Sequence, residues 1–87
     1  MRHDARLEIG QRLLNDVQRA RVAYDGAAKT FNALIGEVPS GLPHPDGALR
    51  LKQAGKESRR TLDLYSQSLK RYSEFILRNV IPEDLEP

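Results

Sequence analysis

The chain contains no cysteine, which excludes disulfide staples, thiolate metal sites and thiol nucleophiles together. Tryptophan is also missing, and histidine occurs only as His3 and His44. Stretches without charge are short. The longest, Thr30 to Gly36 and Val38 to Pro45, fall far below the roughly 20 apolar residues that a membrane span requires. No transmembrane helix and no membrane partner are expected. Near the N-terminus, Arg2, Asp4, Arg6 and Glu8 put charge where a signal peptide keeps its apolar segment. A cytoplasmic location is therefore expected, with signal-independent secretion left open.

The same scarcity limits the chemistry. His3 and His44 fall at opposite ends of the expected fold, and His44 with Asp46 supplies two ligands where a zinc site uses three or four. Ser58, Ser66, Ser68 and Ser73 have no histidine base within reach for a nucleophilic triad. Gly41 and Gly47 do not form a phosphate-binding loop, because no Gly-Lys-Ser/Thr follows them. The helical carboxylates lack the Glu-X-X-His spacing of di-iron bundles. The expectation is a protein without catalytic residues, cofactor, metal or small-molecule substrate.

What the chain does have is helical periodicity. Between Asp4 and Ile35 there is no proline, and apolar residues recur at alternating spacings of four and three: Leu13, Val17, Ala20, Tyr24, Ala27, Phe31, Leu34 and Val38. A flanking stripe at Leu7, Leu14, Ala28 and Ile35 widens the face. This predicts a first helix over 4–36, with Asp4 as N-cap and Gly36 as its stop. A Pro/Gly-rich loop over 37–45 follows, holding Pro39, Gly41, Pro43 and Pro45. The alternation resumes at Ala48, Leu51, Gly55, Ser58, Leu62, Tyr65, Leu69, Tyr72 and Ile76, with Phe75 and Val80 alongside. A second helix over 46–80 and an acidic tail over 81–87 complete the plan.

Folding the chain about its loop sets Gly55 and Ser58 near Tyr24 and Phe31, so large side chains meet small ones. The expected fold is all-α, an antiparallel two-helix hairpin forming a single domain of 87 residues. The residues assigned to its core and interface are Leu13, Val17, Tyr24, Phe31, Leu34, Leu62, Tyr65, Leu69, Tyr72 and Ile76. A chain of this size buries only about 60% of its unfolded surface, and both apolar stripes are wider than one two-helix seam. The surplus predicts an interaction module. Its expected partner is a second copy, forming a four-helix bundle, or another helical protein.

An alternative rests on charge. Fourteen Lys and Arg against twelve Asp and Glu leave a net charge of +2, yet Lys52, Lys56, Arg59 and Arg60 fall on one side of the second helix. Cations so spaced can follow a phosphate backbone. Against this, Glu57 and Asp63 are interleaved with them, and the aromatic residues sit on seam positions instead of among the cations. The acidic tail is expected to return beside Arg2, His3 and Arg6, aiding registration. The proline loop is expected to set the angle and register of the helices.

In architecture, a short helical hairpin turning at Pro39-Ser40 resembles the subunits of type III secretion needles. The resemblance implies a filament-forming subunit of a secretion apparatus. The sequence departs from that pattern by inserting Gly41-Leu42 and further prolines, and by ending in Pro82-Glu83-Asp84-Leu85 in place of a continuous final helix. No functional residue carries over.

Overall fold

The computed structural model describes residues 2–36 and 45–86. Two helices, α1 (Arg2–Gly36) and α2 (Pro45–Arg78), pack side by side, and a short 3-10 turn (Glu83–Leu85) follows. The Pro/Gly connection at 37–44, including Val38 of the first seam, lies outside the described residues. The molecule is a rod of 61 × 18 × 16 Å, close to the length of about 52 Å that 35 residues at 1.5 Å rise give a single helix.

Local chemistry sets the helix ends. α1 begins at Arg2, so Asp4 falls inside the first turn instead of capping it. α2 opens on Pro45, where the ring's fixed φ suits a helix and the missing N–H costs no internal hydrogen bond. It ends at Arg78, two residues short of the expected boundary, because Asn79 turns left-handed with φ 58°. Asparagine tolerates that conformation better than most residues. The Asn79 N–H donates to the Phe75 carbonyl at 3.1 Å and the Val80 N–H to that of Glu74 at 3.2 Å, which satisfies carbonyls of the last turn.

The seam on α1 is the expected one, with Leu13 and Val17 buried and Ala20, Tyr24, Ala27, Phe31 and Leu34 half-buried. On α2 the seam differs. It runs through Leu51, Ala54, Ser58, Thr61, Tyr65, Ser68, Tyr72 and Phe75, whereas Leu62, Leu69 and Ile76 stay 42%, 39% and 51% exposed. The helix is rotated by roughly 50°, half of the 100° step between residues, from the face that its aliphatic residues suggest.

Two aromatic-on-glycine contacts fix the level of the helices, and the first of them sets the rotation. The ring of Phe75 covers Gly10 near one end of the hairpin, and that of Phe31 covers Gly55 near the other. Between them Tyr24 and Tyr65 stack at 6.3 Å with their planes 21° apart. Turning α2 to bury Leu62 and Leu69 would move Phe75, now 2% exposed, out of the core. The hydroxyls this places in or near the seam are satisfied locally. Thr61 Oγ1 lies 2.9 Å from the Glu57 carbonyl oxygen and 3.0 Å from that of Ser58, and Ser68 Oγ donates to the Leu64 carbonyl at 2.9 Å. No buried side-chain polar atom is left without a partner among the described residues, so burying Thr61 incurs little desolvation penalty.

Candidate interaction surface

The strongest core lies where the two chain ends meet. Ile9, Leu13 and Phe75 are buried together, with Tyr72, Ile81 and Leu85 packed on them. Ile81 and Leu85 come from the tail, which crosses one flank of the hairpin near Ala5, Ile9 and Arg12. Arg71 holds the tail there by donating to both carboxylate oxygens of Asp84, at 2.9 and 2.8 Å. Among the described residues the tail's ion pair is thus with α2; the side chains of Arg2 and His3, expected from sequence to meet the tail, lie outside the described residues. Arg6 instead stands over the Phe75 ring, 4.7 Å from its centroid, a cation–π contact.

Among the described residues no segment crosses the opposite flank. On α1 the residue just after each second seam position gives the stripe Leu7, Leu14, Arg21, Ala28 and Ile35. On α2 the same rule gives Gly55, Leu62, Leu69 and Ile76. In an antiparallel pair with three-four packing these two stripes fall on the same side. An open groove of about 290 Å³ lies at one end of the α1 stripe, lined by Leu7, Leu14, Tyr72 and Phe75 among others. Leu7 is 63% exposed. Contiguous apolar surface of a few hundred Å² is what marks an interaction site on a small protein.

Among the residues read from sequence as core and interface, the structure therefore separates two groups. Leu13, Val17, Tyr24, Phe31, Leu34, Tyr65 and Tyr72 lie between the helices, and Leu62, Leu69 and Ile76 lie together on the open flank. Periodicity reading missed Ile9, Thr61, Ser68 and the tail pair Ile81 and Leu85 as packing residues. A signal for the α2 seam was available, because Tyr65, Tyr72 and Phe75 share the line Ala54, Ser58, Thr61, Tyr65, Ser68, Tyr72, Phe75. Small residues on it obscured the alternation.

Lys52, Lys56, Arg59 and Arg60 are all exposed. Arg60 is engaged by Glu57, with Nε donating to the carboxylate at 3.0 Å. This hydrogen bond holds the Glu57 carboxyl below, and the Arg60 guanidinium above, its ordinary pKa. Among the described residues Lys52, Lys56 and Arg59 are in no ion pair. α2 as a whole carries eight cations against four carboxylates.

Among the described residues there is no cluster of three or more metal-ligating side chains, and no helix is long and apolar enough to cross a membrane. No protein-family model matches the chain, and comparison with characterised proteins and with solved structures gave no significant match.

Proposed function

We propose that this chain is a non-enzymatic assembly module that works by association of its open apolar flank, in the first instance with its own kind. The observation that carries the reading is the exposure of Leu7, Leu62, Leu69 and Ile76 along one side, whereas the tail covers one end of the other. Burying such a flank removes apolar area from water at about 25 cal/mol per Å², and a hairpin with a slender core gains from it. Folding and association are then coupled. The midpoint of thermal unfolding rises with chain concentration, as binding to the native state requires. A midpoint independent of concentration over two decades contradicts self-association.

A second reading, weak nucleic-acid binding, is favoured by the excess of cations on α2 and by the exposure of Lys52, Lys56 and Arg59. Its mark is an affinity that falls steeply with salt. Reversing the charge of those three residues then abolishes binding to a generic duplex. Binding that is insensitive to salt, or that survives the reversal, removes this reading. A filament subunit makes the same use of the flank, and differs in giving a mass that grows without limit.

A further inference from the structure

We infer that a second copy of this chain docks on the flank of Leu7, Leu14, Leu62, Leu69 and Ile76, turned by half a rotation about the long axis of the hairpin, so that α1 of each copy lies against α2 of the other. This rests on the assembly reading above and adds to it the face, the orientation and a closed end state, a four-helix bundle.

The rims of the flank carry the orientation. Outside the apolar stripe, the next residues on α1 are Gln11, Gln18, Asp25 and Asn32, which include no cation. Those on α2 are Lys52, Arg59, Ser66 and Ser73, which include no anion. Rotation about the long axis lays the α1 rim of each copy on the α2 rim of the other, so that the one anion of the first meets a cation of the second and the remaining pairs are polar and free of like charges. The pairings of Gly10 with Phe75 and Gly55 with Phe31 set the level, and they place Asp25 of one copy within two residues of Arg59 of the other. Arg21, the one charge within the α1 stripe, is already turned to Asp25 at 3.9 Å. A half-rotation about an axis crossing the face would instead lay α2 on α2 and bring like rims together.

Size and closure agree. A face of 61 by 18 Å has room for the about 800 Å² per partner of a stable interface. The opposite flank is occupied at one end by Ile81 and Leu85, so addition of further copies there meets the tail. A two-fold contact uses the same patch on both subunits and stops at two.

The chain's lack of cysteine makes the test direct. Single variants Leu14→Cys and Leu69→Cys are mixed, allowed to exchange and oxidised. The expected product is the mixed Leu14→Cys to Leu69→Cys disulfide, in excess over either homodisulfide. Leu69→Lys and Leu7→Lys each shift the species to monomer while keeping the helical circular dichroism signal. Leu77→Lys, at a site 81% exposed on the far side of α2, leaves the dimer unchanged. Predominance of homodisulfides overturns the orientation. A dimer that withstands both flank substitutions overturns the face while sparing self-assembly, and a monomer at every concentration overturns both.

Discussion

Phe75 and Gly10 make a knob and a hole: a β-carbon at position 10 would stand 3.1 Å from Cε1 of the Phe75 ring. The ring cannot readily yield, because it is buried against Leu13 and Ile9 and covered by Arg6. Gly26, also helical, faces open space. Alanine at either site gains about 0.8–1 kcal/mol in helix propensity. We predict that Gly26→Ala realises this gain, whereas Gly10→Ala loses most or all of it to the displaced ring. Urea unfolding followed by circular dichroism compares the two directly, and equal stabilisation contradicts the packing described.

The stack of Tyr24 on Tyr65 links the helices near mid-rod. A double-mutant cycle with Tyr24→Leu and Tyr65→Leu is expected to give a coupling of about 0.5–1.5 kcal/mol. Additive losses would mean that the rings merely fill space. Tyr24→Asp is more severe, since it sets a carboxylate between the helices in place of the stacked ring, and should abolish the cooperative melt.

The tail is held by burial more than by charge. Asp84→Asn removes a partly exposed ion pair and is expected to cost at most about 1 kcal/mol. Truncation after Val80 also removes Ile81 and Leu85 from Ile9 and Phe75, and is expected to cost about 1–3 kcal/mol more. Chemical unfolding of both variants decides the matter. Equal losses would make the Arg71–Asp84 pair the principal tether.

Glu57 gives a pH signature of small size. Its carboxyl is held below its ordinary 4.5, chiefly by the hydrogen bond from Arg60. A group whose pKa is lower in the folded state adds stability above its unfolded pKa and loses it as pH falls through the folded value. The midpoint of unfolding should therefore decline on acidification from about pH 5 toward pH 3, and Glu57→Gln should make that decline shallower. An identical acid profile in the variant contradicts the assignment.

The hairpin was legible from sequence because α1 keeps an unbroken apolar alternation and because Gly36 and the prolines after it forbid one long helix. The face of α2 was not. Leu62, Leu69 and Ile76 are its most conspicuous aliphatic residues, and a reading by hydrophobicity places them inside. The structure leaves them out because shape decides the rotation: Phe75 needs Gly10, and Ser58, Thr61 and Ser68 bring small volumes and self-satisfied hydroxyls to the seam. Neither Phe75 over Gly10 nor Leu85 over Ile9 has a local signature, since each pairs residues more than sixty positions apart. The open flank was foreseen as surplus apolar surface, but its location follows only from the rotation of α2.

The most direct test is the absolute mass of the purified chain by light scattering across a concentration series at physiological salt, beside the Leu69→Lys variant. The account predicts twice the 9.8 kDa of one chain for the natural sequence, without further growth, and a single chain mass for the variant. A mass of one chain at every concentration, or a dimer that Leu69→Lys leaves intact, would contradict it.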